Sequence, residues 1–251
     1  MGASPRRPRA QPDDPASPQT AGFAGSRTAD SAQTANPAAA EPSRDCPLCP
    51  RLVAFRQGAR DREPSWFNAP VPSFGSPDAR LLIVGLAPGL RGANRTGRPF
   101  TGDYAGDLLY RTLGEYGFAR GDYQARPDDG VTLEDARITN AVRCVPPENK
   151  PLPDEIRTCR RFLVATIGEM PRLAAIVVLG RIAHDSVARA LEVRPSAFPF
   201  AHGARHTIGW LVLFDSYHCS RQNTNTGTLT PDMFGAVFAA VRAHLDERDR
   251  A

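Results

Sequence analysis

The sequence predicts one three-layer α/β/α domain built on a central, mostly parallel, four-stranded sheet. Three observations lead there. Four short strand-like runs, at 81–86, 136–142, 175–179 and 210–215, alternate with stretches whose apolar residues recur at helical spacing. The run Ala175–Leu179 is apolar throughout and stops at Gly180, the pattern of a strand buried on both faces. The first run leaves into a long loop rich in Gly, Pro and Asn, 85–103. Open α/β sheets bind ligands at such carboxyl ends of their strands.

Composition fits that class. A chain of 251 residues can bury one sizeable core and still carry a tail. With 23% charged and 41% hydrophobic residues and a net charge of +4, it is mildly basic, far from histone-like. Lys150 is the only lysine, so the positive charge is almost all arginine, whose planar fork suits phosphate. No secretory leader or membrane span is visible, which leads us to expect a cytoplasmic protein. In that compartment five cysteines point to metal ligation rather than disulfides.

Taken in order, residues 1–44 are rich in Pro, Ala, Ser, Thr and Gln with almost no large apolar side chains. Such a segment cannot bury enough surface to offset its ordering entropy, so a disordered tail is expected, with the domain running over 45–251. Cys46-Pro47-Leu48-Cys49-Pro50 opens a helix over 51–62 that places Leu52, Val53 and Phe55 inward and several arginines outward. After the strand 81–86 and the glycine-rich loop, 103–116 reads as a helix ended by Gly114 and Gly117. The strand 136–142 ends at Asn140-Ala141-Val142-Arg143-Cys144, and prolines at 146, 147, 151 and 153 stiffen the next loop. Pro153-Asp154-Glu155 starts a helix toward Met170, with acidic residues at its positive dipole end. A helix over 182–191 follows the strand Ala175–Leu179. The last strand runs into Ser216-Tyr217-His218 and a polar loop, 219–229. Thr230-Pro231-Asp232 then caps a helix with one apolar stripe, Phe234, Val237, Phe238, Val241 and Leu245.

Two groups carry chemistry. Cys46 and Cys49 form a C-x2-C pair, Cys144 ends the second strand and Cys159 lies on the next helix, with fourteen residues between them. Four thiolates suit either zinc or an iron–sulfur cluster, and spacing does not choose between them. Cys219 sits in a different loop and stands outside that set. In a parallel sheet the carboxyl ends share one edge, so the first loop, Asn140 and His218 converge there. That edge gathers the Asp103 carboxylate, the Asn140 amide, the His218 imidazole and the Phe100 ring, a set expected of a ligand site. Asp103 is equally placed to cap the helix it precedes. Ser220-Arg221-Gln222-Asn223 and the residues up to Gly227 carry amides, hydroxyls and a guanidinium suited to phosphates and base edges. Arg157, Arg160 and Arg161 flank Cys159, a phosphate-binding face if the cysteines gather at one metal.

The segments Gly85-Leu86-Ala87-Pro88-Gly89, 92–103 (Gly-Ala-Asn-Arg-Thr-Gly-Arg-Pro-Phe-Thr-Gly-Asp) and His218-x-Ser220-Arg221-Gln222-Asn223-Thr224-Asn225-Thr226-Gly227 resemble the two motifs of family-5 (type B) uracil-DNA glycosylases. The four cysteines resemble the iron–sulfur ligands of that group and of its family-4 relatives. The resemblance covers the chain from about Cys46 to the final helix. It implies monofunctional hydrolysis of the N-glycosidic bond of uracil, and of other deaminated bases such as hypoxanthine or xanthine, in double- or single-stranded DNA. It implies Phe100 stacking on a flipped base, Asn140 reading its edge, and His218 stabilising the departing base. Asp103 is then placed at water or at the sugar. Gly85 and Ala87 line the base, and Ser220, Arg221, Gln222 and Asn223 press on the DNA. Cys46, Cys49, Cys144 and Cys159 would hold a structural cluster of the 4Fe-4S type, in a monomer. Leu86 stands where family-4 relatives carry an acid, and Cys219 where the motif usually has proline, which adds a backbone donor. The alternative is a non-catalytic nucleic-acid-binding protein with a structural metal site made by the four cysteines. A redox iron–sulfur protein leaves His218 and the amide-rich loop without a role.

Overall fold

The computed structural model describes Gly2 and residues 40–250. The expected tail therefore lies largely outside the described residues. Its last five residues do not: Glu41 accepts hydrogen bonds from Arg143 Nη1 at 2.9 Å and from the Ser73 amide at 3.0 Å. The folded part thus includes Ala40–Arg44, ahead of the expected start at Asp45, because a carboxylate in a polar-looking stretch answers a buried arginine.

The strands in chain order are β1 (Phe74–Gly75), β2 (Leu81–Gly85), β3 (Ala119–Arg120), β4 (Thr132–Leu133), β5 (Ala136–Asn140), β6 (Ala175–Leu179), β7 (Arg205–Ile208) and β8 (Leu211–Ser216). The helices are α1 (Pro50–Arg62), α2 (Ala93–Thr96), α3 (Tyr104–Glu115), α4 (Pro153–Gly168), α5 (Arg181–Ala190), α6 (Arg221–Asn225) and α7 (Pro231–Asp249). The main sheet has the order β1-β5-β2-β6-β8-β7. Its middle four strands are parallel, as expected, and β3 pairs with β4 in a separate ribbon. The sheet has six strands rather than four, because β1 and β7 add antiparallel edges. Both edges escape a reading of apolar runs: β1 is two residues long, and three of the four residues of β7 keep contact with solvent. An edge strand has one neighbour only, so its sequence carries half the burial signal.

Alternation along β2 shows how the layers form. Leu81 and Ile83 face a core shared with Leu109 and Leu113 of α3 and Phe234 and Phe238 of α7. Leu82 and Val84 face the opposite core, with Leu163 of α4 and Val187 of α5. Strand residues project alternately, so β2, covered on both faces, is apolar at every position. A third small cluster joins Leu52, Val142 and Phe162 to Cys144 and Cys159. No helix among the described residues is long and apolar enough to cross a membrane.

Parallel pairing places β2, β5 and β8 so that their carboxyl ends lie along one edge. Gly85 and Asn140 are register partners across β2 and β5, and β6 separates β2 from β8. The loop 86–103, Asn140 and His218 meet at this edge as the sequence predicts.

Candidate active site

Ala87, Pro88, Gly89, Ala93, Phe100, Asp103, Ala105, Asn140 and His218 line a small recess, walled by both polar and apolar groups. It opens into a wider groove that shares Ala87, Gly89, Asp103, Ala105 and His218 with it. The groove adds Leu86, Tyr104, Glu148, Asn149, Lys150, Ser220, Arg221 and Gln222.

Phe100 is the floor of the recess. It is buried, with a φ of 51°, a conformation costly for a bulky L residue. A brace holds it there. Tyr110 Oη donates to the Pro99 carbonyl at 2.8 Å and Tyr123 Oη to the Phe100 carbonyl at 3.0 Å, and the two tyrosine rings stack with centroids 4.5 Å apart. Arg98 packs over both rings and Phe74, and donates two 2.7 Å hydrogen bonds to Asp129. The Arg98 hydrogen bonds hold the Asp129 carboxyl far below the usual carboxylate range. None of these supporting residues was singled out from the sequence. Arg98 inside Gly-Arg-Pro-Phe was the available signal.

Asp103 occupies the N-cap position of α3 with extended backbone, φ −136° and ψ 169°, yet its side chain makes no capping hydrogen bond. Its Oδ1 is buried without a partner. Methyl groups placed on Gly89 or Gly92 would fall against Oδ2, so the loop wraps the carboxylate with bare backbone. Burial raises this carboxyl above its ordinary range, opposed by the nearby amides of Gly106 and Ala105. The carboxylate thus lines the recess while lying beside the first amides of α3, a position that serves both roles open to it in the sequence.

Asn140 is 3% exposed, and its Oδ1 also lacks a partner among the described residues. A buried amide without its hydrogen bond is costly, and such groups mark places where a ligand completes the set. Gly85 makes room for it: a methyl there would meet both Asn140 Oδ1 and the Phe100 ring.

His218 stacks on Phe100, ring centroids 5.9 Å apart and planes inclined by 30°. Burial lowers its pKa from 6.5 to about 4, so it is neutral near pH 7. Its carbonyl accepts from Asn223 Nδ2 at 2.8 Å. The Ser220 hydroxyl accepts from the Asn223 amide at 3.4 Å, capping α6. Two residues expected to contact DNA are thus engaged within their own loop. Asn223 is a strut for His218, while Ser220 combines capping with a place on the groove wall. Arg221 and Gln222 remain exposed on that wall, Arg221 resting 5.3 Å from the Tyr104 ring centroid. Cys219 is fully buried with its Sγ toward the Ala105 carbonyl, apart from the other thiols.

Cys46, Cys49, Cys144 and Cys159 line one small cavity, and all are free thiols. Arg56 Nη1 donates to Cys144 Sγ at 3.4 Å, and the Arg143 amide to Cys159 Sγ at 3.3 Å, as donors do toward thiolates. Without a metal, burial pushes the Cys144 thiol up to about 11 and Cys159 to about 12, so anionic sulfur there calls for a cation. Four thiols lining one cavity are a donor set that fits either a structural zinc ion or an iron–sulfur cluster.

Among the described residues, His184, His206 and Asp215 form a cluster tight enough for a single ion. Here the Asp215 carboxylate lies 2.7 Å from His184 Nδ1 and 3.1 Å from His206 Nε2, and accepts from the Ala201 amide at 3.2 Å. These contacts satisfy the carboxylate and tie β7 and the segment before it to β8, the strand that delivers His218.

The Uracil DNA glycosylase superfamily profile matches residues 72–242. The chain is 48% identical over 200 residues to the Type-5 uracil-DNA glycosylase of Thermus thermophilus, covering 77% of this chain and 90% of that one. It is 37% identical to the Type-5 uracil-DNA glycosylase of Pyrobaculum aerophilum, over 79% and 88% of the two chains. Similarity to the Type-4 uracil-DNA glycosylase of Saccharolobus solfataricus is lower, 31% over 71% and 73%. The chain belongs to the uracil-DNA glycosylase superfamily, on its type-5 branch. The superfamily profile takes in the first loop, Asn140 and His218, and so every residue lining the recess. It begins after Cys46 and Cys49, so it covers two of the four cysteines.

Proposed function

We propose that this chain hydrolyses the N-glycosidic bond of uracil in DNA, and of other deaminated bases, leaving an abasic site. One observation carries the reading: the buried, unpartnered oxygens of Asp103 and Asn140 belong to side chains lining the recess floored by Phe100 and His218. A base in a duplex is out of reach, so the nucleotide has to be extruded, and mismatched or damaged pairs cost least to open. In the recess the extruded ring stacks on Phe100. Asn140 presents a donor and an acceptor to its edge, which suits uracil and disfavours cytosine. Neutral His218 donates to the base oxygen where negative charge grows as the bond breaks. Asp103 orients water or stabilises the positive charge developing on the sugar. Arg221 and Gln222 press on the DNA from the groove wall and hold the extruded state.

The cysteine centre takes a structural role in this scheme. Cys46, Cys49, Cys144 and Cys159 would hold an iron–sulfur cluster, expected as 4Fe-4S. When bound it supplies a rigid four-point link between the segment before α1, the end of β5 and α4. Its exposed neighbours Arg157 and Arg161 fit a phosphate-facing surface.

The test is base release from a panel of duplex and single-stranded oligonucleotides carrying uracil, hypoxanthine or xanthine, read as alkali-labile strand breaks. Release from the uracil duplex is expected, lost in Asp103→Ala. Binding without release, in a colourless protein containing zinc, would support the non-catalytic alternative.

A further inference from the structure

Arg143 is a large side chain with no part in base release, and it is 1% exposed. A guanidinium so buried needs anions and acceptors around it. Its Nη1 donates to Glu41 Oε2 and to Ser73 Oγ, both at 2.9 Å, and its Nη2 to Thr166 Oγ1 at 2.7 Å. Ser73 Oγ in turn donates to Thr139 Oγ1 at 3.0 Å, and Thr139 is the residue before Asn140. On the other side, the Arg143 amide donates to Cys159 Sγ, and Arg143 directly precedes Cys144. One residue therefore touches the strand end that carries Asn140 and the two cysteines beyond it.

Glu41 is what balances its charge. It is the carboxylate paired with Arg143 among the described residues, and its Oε1 also lies 3.6 Å from the buried Arg137. Arg137 has a second acid, Glu169, at 2.7 Å, whereas Arg143 has no other ion pair among the described residues. Pro42, next to Glu41, forms part of the wall of the cysteine cavity.

We propose that Glu41 is a positioning residue which, through Arg143, holds the cysteine centre and the Asn140 end of β5 as one rigid piece. The part concerning Asn140 rests on the proposed base-reading role. Without Glu41 an unbalanced guanidinium remains beside Cys144, and the local structure has to open to hydrate it. The cysteine centre would then lose its group faster and Asn140 would lose its register with the recess.

The experiment uses the full-length, cluster-loaded protein as wild type, Glu41→Ala, Glu41→Gln and Ser73→Ala. Loss of absorbance near about 400 nm in the presence of a chelator is followed alongside KM and kcat on a uracil duplex. Glu41→Ala is expected to bleach at least about tenfold faster and to raise KM, because it leaves a buried charge without its partner. Glu41→Gln, which keeps an acceptor but no charge, is expected to fall between, and it carries the test should Glu41→Ala fail to fold. Ser73→Ala removes the link from Arg143 to Thr139 but leaves the Glu41–Arg143 ion pair in place, so it should bleach much more slowly than Glu41→Ala yet raise KM. Wild-type bleaching in both Glu41 variants overturns the proposal, as does unchanged KM in Glu41→Ala and Ser73→Ala together. Should wild type release no uracil, the proposed function fails, and the bleaching rate alone still decides the link from Glu41 to the cysteines.

Discussion

Gly85 and Asn140 face each other in register across β2 and β5, and a single methyl group on Gly85 would overlap the Asn140 carboxamide oxygen. The same methyl would lie 2.5 Å from Cζ of Phe100. Gly85 does not have a positive φ, so alanine suits its backbone and only the recess objects. Gly85→Ala should fold, with circular dichroism unchanged, and should lose at least about tenfold in kcat/KM for uracil release, since cores and pockets tolerate overlap poorly. Wild-type kcat/KM would show that nothing is read at this point of the recess.

Asp103→Asn separates catalysis from stability. The carboxylate is half-buried and raised by desolvation, with its Oδ1 unpartnered, an arrangement that burdens the folded state. The amide should therefore preserve or raise Tm while base release falls by about a hundredfold or more, the scale for losing a group that acts on the transition state. DNA affinity, measured by gel shift, should change little. A fall in Tm would return Asp103 to the helix-capping role.

The pH dependence follows from His218. Its pKa falls from 6.5 unfolded to about 4 folded, so between those values the unfolded chain binds the extra proton. The contribution of a neutral His218 is complete above pH 6.5 and is lost as pH falls toward 4. Base release should hold level down through pH 6.5 and fall only near pH 4 to 5, with Asp103 adding to the same acid limb. An inflection at 6.5 that disappears in His218→Gln would contradict this.

Arg98 and Asp129 stand behind Phe100 as a buried ion pair, with side chains 6% and 0% exposed. Asp129→Asn leaves Arg98 without its anion among three aromatic rings and should cost roughly 3 kcal/mol in urea unfolding. Because Tyr110 and Tyr123 pin the strained Phe100 backbone, KM should rise as well. A stability loss with unchanged KM would confine the pair to packing.

Colour distinguishes the cysteines. Cys144→Ser and Cys159→Ser should remove the absorbance expected near about 400 nm, whereas Cys219→Ser should keep it. Cys219 lies against the Ala105 carbonyl, outside the cavity that the other four line. Equal colour in all three would remove the cluster assignment.

The sequence by itself determined the elements that repeat a pattern. The four parallel strands, the amphipathic α3, α4 and α7, the C-x2-C pair and the motif residues Asp103, Asn140 and His218 are each visible in short windows. Burial on both faces of a strand, or on one stripe of a helix, writes itself locally. The tertiary structure alone decided what depends on partners far apart in the chain. It left Asp103 Oδ1 buried without a partner and engaged Asn223 with the His218 carbonyl. It added β1 and β7 as edges and drew Glu41 out of the expected tail to Arg143, 102 positions away. Such contacts join single polar residues, which have no periodicity to betray them. Their pairing is set by which groups the closed core leaves buried and in need of a partner.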